Sequence, residues 1–146
     1  MTAGLTAGFL AAFAHTVMPA LASSDDAAFV VGFVALDKAV SNPRFMVPFT
    51  LTPVLVGVAT LLAFVDGQRT AGVLLTFALA LAVATVLITG VVHLPLNAEI
   101  GDVVLDSGDL AAARSRFEER WVRWNVVRTV TSTGSLTLPA ALLRVH

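Results

Sequence analysis

"TAGVLLTFALALAVATVLITGVVH" occupies residues 70–93 and contains no Lys, Arg, Asp or Glu. At 1.5 Å of rise per residue, a helix of this length covers the roughly 30 Å hydrocarbon core of a bilayer. Two more uncharged runs precede it, at residues 3–22 (AGLTAGFLAAFAHTVMPALA) and 45–65 (FMVPFTLTPVLVGVATLLAFV). Three such runs argue against a soluble bundle with buried helices. Composition agrees: the chain is 57% hydrophobic and 13% charged, with a mean hydropathy of +0.86. Soluble domains average about 45–50% apolar and about 25% charged residues.

Residues 121–143 (WVRWNVVRTVTSTGSLTLPAALL) form a fourth candidate, with Arg123 and Arg128 near its start and many Thr and Ser hydroxyls after them. Those hydroxyls can bond to the preceding turn or across to a neighbouring helix. The sequence therefore predicts an all-α fold, an integral membrane four-helix bundle, as one transmembrane domain over residues 1–146. The two long loops should carry short amphipathic helices. "DDAAFVVGFVALDKAV" (25–40) starts with acids and spaces Phe29, Phe33, Leu36 and Val40 as one helical face. "SGDLAAARSRFEERW" (107–121) reads as a solvated helix leading into the fourth span. Gly4 and Gly8, four apart, would permit close helix approach.

"MPALASS" (18–24) has the small residues of a signal-peptide cleavage site, but no Lys or Arg precedes the first apolar run. With four spans, loops 23–44 and 94–120 share one side, which holds Lys38, Arg44, Arg114, Arg116 and Arg120, with Arg123 at the boundary. The other side holds Arg69 and Arg144. The excess places the long loops in the cytoplasm and both termini outside the plasma membrane. The absence of cysteine excludes disulfides and thiolate metal sites. A net charge of −1 implies no attraction to nucleic acid. No phosphate-binding glycine loop, dinucleotide fingerprint or His-Glu-x-x-His motif occurs.

Polar side chains inside apolar spans are costly and point to function. His15 lies in the first span with Pro19 four residues on, so its carbonyl loses a helical partner. His93 ends the third span, Pro95 follows, and Asn97 sits one turn below. Trp121, Trp124, Asn125 and Arg128 are spaced to share a face at the start of the fourth. On this topology His15, His93, Asn97, Asn125 and Arg128 converge on one pocket. Simpler roles are available: Trp121 and Trp124 as interfacial anchors, Asn97 and Asn125 as helix glue, and Arg128 paired with Glu99 or Asp102.

These blocks resemble the anthrone oxygenase-like family of small four-helix membrane proteins. The resemblance runs over nearly the whole chain. It rests on "AGFLAAFAHTVMPALASSDDAAFV" with its Met-Pro-x-Leu, on Asn42-Pro43-x-Phe45 in "ALDKAVSNPRFM", on "HLPLNAEI", and on "RWVRWNVVRT". The last is similar to the family's Trp-x-x-Trp-Asn-x-x-Arg-Thr. His93 stands where members usually carry Asn. The resemblance implies oxidation of an anthrone methylene to a quinone carbonyl, with the family blocks falling on Asn42, Pro95, Asn97, Trp124, Asn125 and Arg128.

Two chemistries follow. An anthrone C–H is acidic because its carbanion is delocalised, and the anion can react with O2 without a cofactor. That needs a base, His15 or His93, and oxyanion donors, Asn97, Asn125 and Arg128; Asn42, Trp124 and Met18 would contact the apolar substrate. Alternatively, His15 and His93 ligate copper, iron or haem, which suit neutral imidazole. A non-catalytic protein that only binds a lipid-like ligand is the third possibility. The expected surroundings are the lipid bilayer, an apolar small-molecule substrate and O2. The oligomeric state is left open, a homo-oligomer included.

Overall fold

The computed structural model describes residues 1–103 and 109–142. Residues 107–108 of the expected loop helix, residue 143 of the expected fourth span, and Arg144 lie outside them. All regular structure described is helical. Among the described residues there are five helices: α1 (Thr2–Ala22), α2 (Asp26–Val40), α3 (Pro43–Val65), α4 (Arg69–Gly101) and α5 (Leu110–Leu142).

Among the described residues, α1, α3 and α4 are long and apolar enough to cross a membrane. They mark the chain as an integral membrane protein. The expectation of four such helices is therefore met by three. α5 matches α4 in length at 33 residues, but its first half is charged and its second half rich in hydroxyls. Those hydroxyls bond as expected: Thr129 Oγ1 donates to the Asn125 carbonyl at 2.9 Å, and Thr131 and Thr85 hydroxyls meet at 2.8 Å. The second loop helix leads straight into the fourth candidate span, as expected, and the two form one unbroken α5 from Leu110 onward.

Local chemistry sets the helix ends. The Asp25 carboxylate accepts from the Ala28 N–H at 2.8 Å and starts α2. Asn42 Oδ1 accepts from the N–H groups of Arg44 and Phe45 and starts α3. Gly67 turns α3 into α4 at φ 73°, a conformation glycine adopts without strain. α1 and α4 each contain one widened π turn, Phe13–Val17 and Thr89–His93, closed by bonds from Met18 N–H to the Phe13 carbonyl and from Leu94 N–H to the Thr89 carbonyl. Each lies just before a proline, Pro19 or Pro95. A proline offers no N–H and crowds the carbonyl four residues back, and the wider turn absorbs that conflict.

α5 runs antiparallel to α1 over their whole lengths. Gly4 lies near Leu136, Asn125 reaches the Leu10 carbonyl, and Arg114 reaches the Ala22 carbonyl. It is antiparallel to α4 through Thr85–Thr131, Thr89–Arg128 and Asn97–Trp121. α3 packs on α1 and α4. The closest approach is not at Gly4 or Gly8: a Cβ at Gly4 would meet Leu136 only at 3.9 Å, and one at Gly8 nothing within 4 Å. It is at Gly72, where a Cβ would stand 2.7 Å from Phe64 Cε1, followed by Gly134, where one would stand 2.8 Å from Leu81 Cδ1.

α2 lies across one end with Phe29, Val30 and Phe33 buried. Phe33 packs on Phe117 and Trp121 of α5, ring centroids 4.6 and 5.3 Å away. Arg114 fastens the α1–α2 corner: it donates to the Ala22 and Ser24 carbonyls and to Asp26 and Glu118, with its guanidinium 4.5 Å over the Phe29 ring.

Candidate functional site

Beneath α2 the helices enclose a cavity of about 320 Å³. Rings dominate its wall, among them Phe9, Phe13, Phe33, Phe45, Phe49 and Trp121. Seven polar side chains join them: Asp37, Ser41, Thr50, Thr89, His93, Asn97 and Arg128. A cavity of this size and lining suits a small apolar ligand held by a few polar groups.

His93 is 1% exposed. Its Nδ1 lies 3.4 Å from the Ile88 carbonyl, which can only accept, so this contact assigns the proton to Nδ1. Nε2 is then a bare acceptor, and no described residue partners it. The ring stands edge-on to Trp121 at 5.1 Å. Arg128 is 7% exposed. Its Nη1 donates to Thr89 Oγ1 at 3.1 Å and its Nη2 to Asn125 Oδ1 at 2.8 Å, while Nε has no partner. No carboxylate among the described residues pairs with it. The expected partner Glu99 is exposed and lies 3.9 Å from Arg116 instead. Asp102, at the end of α4, makes no ion pair with Arg128 either. A buried guanidinium hydrogen-bonded only to neutral acceptors is costly, and it turns its charge on a cavity whose wall also holds Asp37.

Asn97 joins two walls. Its Nδ2 donates to Asp37 Oδ1 at 2.6 Å, and its Oδ1 accepts from Trp121 Nε1 at 2.9 Å. Burial pushes the Asp37 carboxyl above the usual carboxylate range, against the pull of the Asn97 hydrogen bond and the Arg128 charge. Asn125 is fully buried outside the cavity wall. Between the Leu10 carbonyl at 3.3 Å and Arg128, it positions the guanidinium.

Of the residues singled out from sequence, His93, Asn97 and Arg128 line the cavity, and Asn125 backs it. His15 does not: it is exposed on α1, so the two histidines share no pocket. Among the described residues no three His, Asp or Glu side chains gather, and His93 alone of the histidines is offered to the cavity. Joint ligation of one metal or haem by His15 and His93 has no support in this arrangement. Asn42 spends both its polar groups at the start of α3, its Nδ2 donating to the Ala39 carbonyl. Met18 is buried in the aromatic core, and Trp124 packs half-buried at that core's edge. Sequence reasoning passed over Asp37 and Thr89 and took Trp121 for an anchor. Asp37 follows Phe33 by four residues on the apolar face of α2, where a carboxylate is out of place. Thr89 precedes His93 by four, on the same face of α4.

A family model described as anthrone oxygenase matches residues 36–138. The chain belongs to the anthrone oxygenase family. The matched stretch starts one residue before Asp37 and takes in every polar side chain of the cavity wall, while His15 and Met18 fall outside it. The anthrone oxygenase match thus covers the polar part of the cavity wall together with Asn125, which supports its arginine. No curated protein and no solved structure matches the chain.

Proposed function

We propose that this member of the anthrone oxygenase family is a membrane-embedded oxygenase that converts the acidic methylene of a flat, anthrone-like aromatic to a carbonyl, using O2. The observation that carries this is the buried Arg128, hydrogen-bonded only to neutral acceptors and opening on an aromatic-walled cavity. Such a charge is matched by an oxyanion that forms during reaction.

His93 Nε2 takes one methylene proton, and the negative charge delocalises onto the ring carbonyl oxygen opposite. Arg128 stabilises that oxygen. The electron-rich anion passes one electron to O2, and the radical pair joins to form a carbon–peroxide bond. His93 returns its proton to the terminal oxygen. Loss of the second C–H proton to a base breaks the O–O bond, the C=O forms, and hydroxide leaves to be protonated. One CH2 and one O2 become one C=O and one water. A buried site favours this chemistry, because a fixed positive charge is worth more where water is excluded.

In this reading the chain crosses the plasma membrane four times as a single-domain bundle. Both termini are outside and the long loops are in the cytoplasm. The match of α5 with α1 and α4 along its whole length supports the fourth crossing. The test is oxygen uptake by protein in lipid nanodiscs supplied with anthrone. Uptake above the uncatalysed rate is expected, falling about 10²–10³-fold in Arg128→Gln with folded yield retained. Wild-type uptake no faster than that of protein-free nanodiscs would reject the proposal.

A further inference from the structure

The cavity has a roof and a side opening. α2 is the roof: Asp37, Val40 and Ser41 reach the wall, and the Asp37–Asn97 hydrogen bond fastens it. Between α3 and α4 the situation differs. Met46 and Thr50 on α3, and Gly90 and Leu94 on α4, line the cavity and are also exposed on the outer surface. Leu94 is 60% exposed and Met46 41%. Near the Gly67 turn the same two helices are in contact, Gly57 against Leu79 and Gly72 against Phe64. At the cavity end a Cβ at Gly90 would meet no atom within 4 Å.

Depth says what this opening faces. Met46 and Gly90 each lie roughly 30 Å along their helices from the α3–α4 turn, at 1.5 Å per residue. That is about the thickness of the hydrocarbon core. The opening therefore stands at the boundary between acyl chains and headgroups, on the α2 side. Its outer rim is apolar, while the polar groups Asp37, Asn97 and Ser41 lie on the headgroup side.

We propose that the seam between α3 and α4 is a lateral entrance, through which an amphiphilic polycyclic molecule dissolved in the bilayer reaches the cavity without passing through water. A fused-ring compound with one polar edge rests at this depth, rings among acyl chains and polar edge among headgroups, already oriented for entry. The proposal deepens the oxygenase reading by naming how its substrate is presented, and it rests on that reading only for the ligand's identity. Gly90 and Thr50 would set the width of the entrance.

The test reads Trp121 and needs no catalysis. With Trp124→Phe as background, Trp121 is the sole tryptophan. The protein is reconstituted in phosphatidylcholine vesicles brominated high on the acyl chains, and its emission is compared with that in unbrominated vesicles. Brominated lipid is expected to quench Trp121, although the residue is buried within the protein. Gly90→Phe and Thr50→Phe, on opposite sides of the seam, should each restore most of the lost emission. Leu87→Phe, exposed on α4 but outside the cavity wall, should restore none. Two variants on different helices protect the test against one that fails to fold. Unquenched Trp121, quenching equal in the blocked variants, or quenching by aqueous acrylamide in place of the lipid would overturn the proposal. A failed oxygen-uptake assay would leave this measurement standing, so the two proposals can fail separately.

Discussion

Arg128 is held in place by neutral groups, and that choice of partners can be tested. Asn125→Asp would set a carboxylate where Arg128 Nη2 now meets an amide oxygen at 2.8 Å. Folded yield should survive, while oxygen uptake should fall nearly as far as in Arg128→Gln, because the charge facing the cavity is then neutralised. Asp37 makes a second case. Its raised pKa means that the folded protein holds this proton to higher pH than the unfolded chain does. The stability it contributes is complete below the ordinary carboxylate pKa of about 3.9 and is lost as pH rises through the raised value. Asp37→Asn keeps an acceptor for Asn97 and cannot ionise. The melting-temperature difference, variant minus wild type, should therefore grow from about pH 4 upward and then level off. At this scale the sequence was legible wherever a polar group interrupts an apolar run, as at His93, Asn97 and Arg128. The same logic misplaced His15, because the face a residue presents depends on the widened turn it sits in. A π turn leaves no spacing signature that composition can reveal.

Among the elements, α2 was readable from the four-residue spacing of Phe29 and Phe33, and both are buried. What that spacing could not tell is that the helix roofs a cavity, since this depends on Arg114, 90 residues from Ser24 in sequence, drawing in the α1–α2 corner. Arg114→Ala should raise hydrogen exchange over residues 23–30 and lower stability by about 1–3 kcal/mol. Arg114→Lys should recover only part, since an ammonium cannot reproduce the guanidinium fork. At the α3–α4 turn, Gly67→Ala should cost about 1–2 kcal/mol from its positive φ alone, because nothing lies within 4 Å of the added methyl. A melt in detergent would show it. α5 is where sequence and structure diverged most. Its hydroxyls bond within and between helices as foreseen, yet they leave it less apolar than its three companions.

For the whole molecule, the proposed four-crossing arrangement would fix which surfaces share a side. The chain has no cysteine, so single cysteines at Lys38, Gln68, Arg116 and Ala140 can be labelled in sealed vesicles with an impermeant maleimide. Lys38 and Arg116 should react together from one side, Gln68 and Ala140 from the other. Ala140 reacting with Arg116 would remove the fourth crossing. The widened turn at Thr89–His93 governs how all these parts mesh. Above it α4 meets α5 through Thr85 and Thr131; below it, through Asn97 and Trp121. Rewinding it as regular α-helix with every residue kept would turn everything beyond it by about 100°. Thr85 would still engage, while Asn97 would swing away from both Trp121 and Asp37. Loops in such a chain can gain or lose residues freely, but the winding between Thr85 and Asn97 works like the timing of a gear train, in which one slipped tooth spares each wheel and stops the movement.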